Sequence, residues 1–139
     1  MVVQRRSAAV SRIMVNNMKK KTAVVIGVGA EEGIGAAVCR CCAAHGHHMI
    51  AAGRTTAKLS QVVRTIRFEG GSAEFQVMDA TDEAQVSALF DLAMAANEDR
   101  EAADLVVFNS ASLNRPMDFR QLSASDFEEI WRQNCLAGF

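Results

Sequence analysis

Tyrosine is absent from this 139-residue sequence, so no phenol is available in it as a general acid or base. Proline occurs once, at Pro116; with the high apolar content, this argues against a disordered or collagen-like chain. The sequence also lacks a large excess of positive or negative charge, since 15 Lys and Arg residues stand against 16 Asp and Glu residues. The balance gives no reason to expect a nucleic acid or an anionic membrane as a partner.

Long apolar runs are also missing, because none approaches the roughly 20 residues needed to cross a bilayer. Hydrophobic residues nevertheless make up 50% of the chain, enough to bury the core of one domain. Three of the four cysteines, Cys39, Cys41 and Cys42, stand within one expected helix. Two cysteines on one helix face do not easily form an unstrained bridge, so we interpret the thiols as reduced and the protein as cytoplasmic.

The N-terminal segment differs from the rest of the chain because its first 21 residues contain no acid. Its basic residues are Arg5, Arg6, Arg12, Lys19, Lys20 and Lys21. Three interpretations stay open: a mitochondrial transit peptide, a disordered basic tail, or a start codon placed too early, since Met18 stands just before the first strand. We expect residues 1–20 to form a disordered extension and residues 21–139 to form the domain.

Beyond this segment, short apolar runs alternate with segments of helical period. The expected strands are residues 22–27, 48–53, 73–79 and 104–109. The expected helices are residues 34–44, 58–68, 82 to about 97, and a last helix running toward Phe139. The alternation predicts right-handed crossovers and an α/β fold with a doubly wound parallel sheet.

Helix faces and caps follow from the same periodicity. The expected core-facing residues are Ile34, Val38, Cys41, Cys42 and His45 in the first helix, Leu59, Val62, Val63 and Ile66 in the second, and Val86, Leu89, Phe90 and Leu92 in the third. We expect Thr81 to cap the third helix. Ser125 and Glu128 are expected to form the capping box of the last helix.

A glycine-rich loop, "VIGVGAEEGIG", joins the first strand to the first helix. Gly29, Gly33 and Gly35 fit the spacing G-x-x-x-G-x-G, whereas the pattern G-x-G-x-x-G started at Gly27 fails at Glu32. Free backbone N–H groups at a helix N-terminus attract phosphate. Side chains at these glycines would block a tight turn, the approach of a pyrophosphate or helix packing. The alternative is a loop whose glycines serve turn geometry alone.

The second strand ends in Gly53 and Arg54, where a ribose 2′-hydroxyl would call for Asp or Glu. Glycine leaves room for a 2′-phosphate, and arginine supplies a fork-shaped cation for it. The pair favours NADP over NAD and argues against a methyltransferase. The alternative is an ordinary solvated surface arginine.

At this point the sequence resembles the short-chain dehydrogenase/reductase family. The residues that carry the resemblance are Gly29 to Gly35, "GRTTAKL" from Gly53, Asp79 of "MDATDEAQV", "FNSAS" from Phe108, and "WRQNCLAGF" from Trp131. The resemblance implies a Rossmann-like sheet of strand order 3-2-1-4. It also implies hydride transfer between NADP, less readily NAD, and a carbonyl or alcohol substrate.

The resemblance further implies a role for each matching residue. Gly29, Gly33 and Gly35 would hold the pyrophosphate, Arg54 the 2′-phosphate, Asp79 the adenine, and Asn109 the ribose and the strand-four region. The expected cofactor-binding set is completed by Ala30, Ile34, Ala80, Ser110 and Ala111. Asn134 would be the one member of the family's catalytic set that is present.

Several positions depart from the family pattern. Val28 replaces a threonine whose hydroxyl braces the glycine loop, and Ser110 and Ser112 replace an asparagine and a glycine. Glu31 and Glu32 place negative charge close to where phosphates are expected. The tyrosine, lysine and serine that the family uses for proton transfer would follow the last residue, so we interpret the chain as the cofactor half, truncated before strand five.

Truncation at this point would leave the fourth strand as an open apolar edge able to pair with another chain. Three hypotheses stay open: the segment is a piece of a longer protein, a degenerate gene product, or an obligate assembly that covers this edge. In the last case the expected partner is a second copy, bound through this edge or the last helix. The expected function is an NAD(P)-dependent oxidoreductase of which this chain is the cofactor-binding half. A non-catalytic nucleotide-binding or interaction module is the alternative.

Histidines at 45, 47 and 48 near the cysteines raise the question of a metal site. No second pair completes a four-ligand set at zinc-finger spacing. We therefore expect no metal, and small apolar cysteines that pack the first helix on the sheet.

Overall fold

The computed structural model describes residues 19–111 and 118–139. The expected N-terminal extension, apart from its last two residues, and the loop with Pro116 and Ser112 lie outside the described residues. The strands are β1 (Lys20–Ile26), β2 (His48–Gly53), β3 (Ser72–Val77) and β4 (Arg100–Phe108). The helices are α1 (Ile34–Ala44), α2 (Thr56–Phe68), α3 (Glu83–Met94) and α4 (Ala124–Asn134), with 3-10 turns at Phe119–Gln121 and Leu136–Gly138.

The four strands form one parallel sheet in the order β3-β2-β1-β4. Val24 of β1 lies opposite Ile50 of β2 and Val106 of β4, which fixes the register of the sheet. Parallel neighbouring strands need a crossover connection, and a helix supplies one between each pair of successive strands. The α/β class, the parallel pairing and the strand order expected from the sequence are all confirmed.

Helices cover the sheet on two faces, which divides the core into two clusters. On one face α1 and α2 pack through Cys39, Leu59, Val62 and Ile66 against side chains such as Val25. On the other face α3 packs through Leu89 and Ala93 against Val24, Ile26 and Ile50. The central strands β1 and β2 are therefore buried on both faces, as their continuous apolar sequences indicate.

The expected face of α2 is confirmed, since Leu59, Val62, Val63 and Ile66 are all buried. The expected face of α1 is confirmed only in part: Val38 and Cys42 pack partly against the core, whereas Ile34, Cys41 and His45 are exposed. The fully buried residues of the helix are Gly35, Ala36 and Cys39. Small residues bring α1 close to the sheet, and a Cβ at Gly35 would lie 2.9 Å from the Gly27 carbonyl oxygen. Close approach, rather than side-chain volume, selects the buried face.

The third helix confirms Leu89 as a buried residue, and Val86 and Leu92 pack partly against the core. Phe90 is 38% exposed, and Ala93 takes its place in the interior. The sequence pattern thus predicted the helix, but the observed core face includes Ala93 in place of Phe90.

Two expected caps are also wrong. Asp82, not Thr81, caps α3, because its carboxylate accepts a hydrogen bond from the Gln85 backbone N–H at 3.1 Å. In α4 the capping box joins Ser123 and Asp126 instead of Ser125 and Glu128. Both pairs have the required spacing, so the sequence alone did not separate them.

Strand β4 is longer than expected and begins at Arg100, which pairs with Lys20 through an irregular register near Thr22. Within the described residues β4 pairs with β1 alone. Leu105, Val106 and Phe108 are 38%, 43% and 38% exposed. No helix among the described residues is long and apolar enough to span a membrane.

Candidate functional site

A cleft of about 290 Å3 lies at the carboxyl ends of the strands. It is bounded by the β1–α1 loop, the start of α2, the segments that follow β3 and β4, and one residue of α4. Its lining residues are Ile26, Gly27, Val28, Gly29, Gly33, Ile34, Gly35, Gly53, Arg54, Thr55, Lys58, Met78, Asp79, Ala80, Thr81, Asn109, Ser110, Ala111 and Gln133. In parallel α/β sheets, ligands bind in the crevice at this edge.

The turn out of β1 depends on Gly27. Its φ is +94°, a conformation that L side chains rarely adopt, and a Cβ there would collide with the backbone of Ser110 and Asn109. The backbone N–H groups of Gly27 and Val28 both donate to the Ala52 carbonyl at 2.9 Å. The motif spacing does not include Gly27. Its position directly after the strand was the available signal.

The three motif glycines serve three different needs. Gly35 allows α1 to approach the sheet, and Gly33 allows a tight turn, since its Cβ would lie 3.0 Å from the Ala30 carbonyl oxygen. At Gly29 a Cβ would meet nothing within 4 Å among the described residues. The chain therefore gains nothing in its own packing from the bare backbone at Gly29. The open space belongs to the cleft, and a side chain would fill part of it.

Asn109 connects the end of β4 to this loop. Its backbone N–H donates to the Ile26 carbonyl at 2.7 Å, and its side-chain amide donates to the Gly27 carbonyl at 3.2 Å. The amide thus holds the turn that precedes the motif glycines. The expected ribose contact of Asn109 stays a prediction.

Positive charge at the cleft comes from the start of α2. Arg54 and Lys58, four residues apart, both line the cleft, with Thr55 between them. Thr55 is the N-cap of α2, yet its side chain makes no capping hydrogen bond, which leaves first-turn N–H groups for other acceptors. Of these three residues, only Arg54 is among the site residues expected from the sequence. The available signal was their position, since Thr55 and Lys58 closely follow Arg54 at the beginning of a helix.

Asp79 follows β3 and lies next to the Gly53–Arg54 segment, because the Met78 backbone N–H donates to the Gly53 carbonyl at 2.9 Å. Its Oδ1 accepts hydrogen bonds from the Thr81 backbone N–H at 2.9 Å and from the Thr81 hydroxyl at 2.8 Å. These bonds, and more weakly the charge of Arg54, hold the pKa of Asp79 below its ordinary value. The group is therefore a carboxylate at neutral pH, and the acceptor that it offers is lost only in strong acid.

Ten of the twelve expected site residues line the cleft, and Ala30 and Asn134 do not. Asn134 is exposed at the end of α4 and donates a hydrogen bond to the Ile130 carbonyl at 2.8 Å. Its neighbour Gln133 lines the cleft instead. Gln133 is not among the expected site residues, because the resemblance to the family assigns a role to the neighbouring Asn134 alone.

The histidines and cysteines lie away from this cleft. His48 begins β2, at the amino end of the strands, where it contacts the Ser72 hydroxyl at 2.7 Å and the Glu74 carboxylate at 3.1 Å. Burial raises the pKa of Cys39 to about 12, so it packs as a neutral thiol. Cys41, expected to pack as well, is exposed. The described residues contain no group of three or more potential metal ligands.

Comparisons with known proteins agree with this architecture. A family model described as short chain dehydrogenase matches residues 21–139. The 2,3-dihydro-2,3-dihydroxybenzoate dehydrogenase of Bacillus subtilis (strain 168) is 31% identical over 112 residues, which make up 80% of this chain and 41% of that protein.

Solved structures show the same fold. A short-chain dehydrogenase from Rhodopseudomonas palustris superposes with a TM-score of 0.73 at 29% identity, over 87% of this chain and 54% of that one. A metagenomic short-chain oxidoreductase in complex with NADP superposes with a TM-score of 0.72 at 25% identity, over 86% and 52%. This chain spans about half the length of these relatives. Because the family model matches almost every residue from β1 to the last, the chain belongs to the short-chain dehydrogenase/reductase family.

Proposed function

We propose that this chain is the cofactor-binding half of an oxidoreductase that transfers hydride between NADP and a carbonyl or alcohol. The observation that carries the proposal is the bare backbone at Gly29, which opens the cleft where the family resemblance expects the pyrophosphate. The adjacent start of α1 has Gly33 as its N-cap and no side-chain capping bond. Its free N–H groups and helix dipole suit a diphosphate.

The preference for NADP over NAD rests on the charge at the start of α2. Arg54, Lys58 and Thr55 offer a bidentate cation, a second cation and a hydroxyl on one side of the cleft. A carboxylate that would accept from a ribose 2′-hydroxyl is missing from the Gly53–Arg54 position. The NADP bound to the metagenomic relative is consistent with this preference.

When bound, the nicotinamide would supply or accept the hydride. This chain's own residues would bind the diphosphate, orient the adenine through Asp79, and hold the turn through Asn109. Hydride transfer to a carbonyl also needs a proton donor at hydrogen-bond distance. The 139 residues contain no tyrosine, so the donor that the family resemblance implies is not among them.

The test is binding of NADPH by fluorescence to the unsubstituted chain and to a Gly29→Val variant. A valine in place of Gly29 would project into the open part of the cleft. We therefore expect the affinity for NADPH to fall by at least about tenfold, or ~1.4 kcal/mol. Ala37→Val is the matched control, because Ala37 is an exposed residue of α1 that does not line the cleft. Equal binding by all three proteins would contradict the proposal.

A second candidate, a nucleotide-binding module without catalysis, is favoured by the absence of tyrosine. Binding of NADPH by this chain fits both functions. If the reading frame continues past Phe139, turnover of a panel of ketones by the longer product would select the oxidoreductase. Binding without turnover by that product would select the module.

A further inference from the structure

Glu31 is an acidic residue within a loop expected to approach a diphosphate. The structure turns its carboxylate away from the cleft, toward α2. Oε1 accepts a hydrogen bond from the Thr65 hydroxyl at 2.5 Å, and Oε2 accepts one from the Gln61 side-chain amide at 2.5 Å. The two donors lie one helical turn apart, so a single carboxylate bridges the loop to one face of α2.

The backbone of the same residue is held from the other side. Arg40 of α1 donates from Nη1 to the Glu31 carbonyl oxygen at 2.8 Å. The hydrogen bonds from Thr65, then from Gln61, keep the pKa of Glu31 below its ordinary value. The carboxylate is thus ionised at neutral pH, and bonds to an ionised acceptor are the stronger kind.

We infer that Glu31 is a positioning residue for the cofactor site: it anchors the glycine loop to α2 and so fixes the N–H groups that meet the diphosphate. The inference rests on the proposed function. Val28 lacks the hydroxyl that the family resemblance leads us to expect as a brace of this loop. Glu31 supplies a brace from the opposite end of the loop, and its charge is engaged with α2 instead of repelling the phosphates.

The test compares Glu31→Ala with the unsubstituted chain in binding NADPH, NADH and adenosine 2′-monophosphate. Both dinucleotides carry the diphosphate, so we expect the affinity for each to fall by a similar factor of about tenfold, the scale of a charge-assisted hydrogen bond. Adenosine 2′-monophosphate has no diphosphate, and its affinity, measured by competition, should not change. The melting temperature of the ligand-free chain is measured in parallel.

Two further variants identify the contact. Thr65→Val should weaken the binding of NADPH when Glu31 is present. In the Glu31→Ala variant the same substitution should have little further effect on NADPH binding, because the two side chains share one hydrogen bond. Glu32→Ala is the matched control: Glu32 is exposed, and the hydrogen bonds and ion pairs of the described residues do not involve its side chain. Removal of its charge should leave NADPH binding unchanged or tighten it slightly.

The outcomes are distinguishable. If the unsubstituted chain binds neither dinucleotide, the proposed function fails, and this inference fails with it. If that chain binds NADPH but Glu31→Ala binds it equally or more tightly, the anchoring role alone is overturned. Equal loss for all three ligands with a lower melting temperature would show a merely structural residue and also overturn the inference.

Discussion

At the scale of single residues, the cleft contains two kinds of position: glycines that allow a close approach of backbone atoms, and residues whose side chains carry charge. Gly27 and Gly35 belong to the first kind, since a Cβ at either would press on backbone atoms. Arg54 and Lys58 belong to the second kind: they are exposed and line the cleft. Substitutions of the first kind should damage folding, whereas substitutions of the second kind should change ligand preference and leave stability nearly unchanged.

Arg54→Ala should lower the affinity for NADPH by about tenfold, or ~1.4 kcal/mol, because one bidentate charge-assisted contact to the 2′-phosphate is lost. NADH has no 2′-phosphate, so its affinity should change little. Isothermal titration of both cofactors measures the difference. Arg64→Ala is the matched control, since Arg64 is an exposed arginine of α2 that does not line the cleft. Equal loss of both cofactors would refute the role of Arg54.

At the scale of elements, the helix beginnings fall into two groups. The N-caps of α1 and α2, Gly33 and Thr55, line the cleft and make no side-chain capping bond. The N-caps of α3 and α4, Asp82 and Ser123, lie outside it and accept bonds from their own first turns. Orphan N–H groups are therefore left at the two helix ends where an anion is expected.

Asp82→Ala should destabilise the chain by about 1 kcal/mol, the usual cost of losing an N-cap acceptor. Helix α3 is packed in the core through Leu89 and Ala93, so the loss should appear in global unfolding by urea. Asp82→Asn is the control, because asparagine caps about as well as aspartate. A Thr81→Ala variant that is destabilised more than Asp82→Ala would restore the cap expected from sequence.

At the scale of the whole molecule, the β4 edge of the sheet is poorly covered among the described residues. The apolar side chains of β4 are partly exposed, and the described part of α4 contains no buried residue, with Phe127 61% and Trp131 45% exposed. A long apolar edge strand invites pairing with another chain. We propose that the 139-residue chain self-associates through β4.

Val106→Lys should shift the chain toward the monomer, because a lysine on an edge strand opposes edge-to-edge pairing. Sedimentation velocity across a range of protein concentrations measures the shift, and a melting curve checks that the variant folds. Ser60→Lys, on the exposed side of α2, controls for the added charge. If Trp131→Glu disperses the assembly and Val106→Lys does not, the last helix is the contact instead.

The sequence was sufficient for the order of elements and for the bounds of β2, whereas β1 begins two residues before and ends one residue before the expected positions. Strands β1 and β2 are short apolar runs that only a sheet buried on both faces accommodates, and the crossover rule then leaves few topologies. The glycine spacing likewise located the loop at the cleft. These features depend on interactions between residues close in sequence, which a pattern can express.

The tertiary structure alone decided which residues of that loop face the cleft and which face inward. A glycine is required at position 27 because the backbone of Ser110, 83 residues later, leaves no room for a Cβ there. The side chain of Glu31 points to α2 because it accepts hydrogen bonds from Thr65 and Gln61. The buried face of α1 follows from how closely the sheet can be approached, and the cap of α4 from a choice between two equal spacings. Each outcome depends on atoms brought together by folding, which local sequence patterns do not encode.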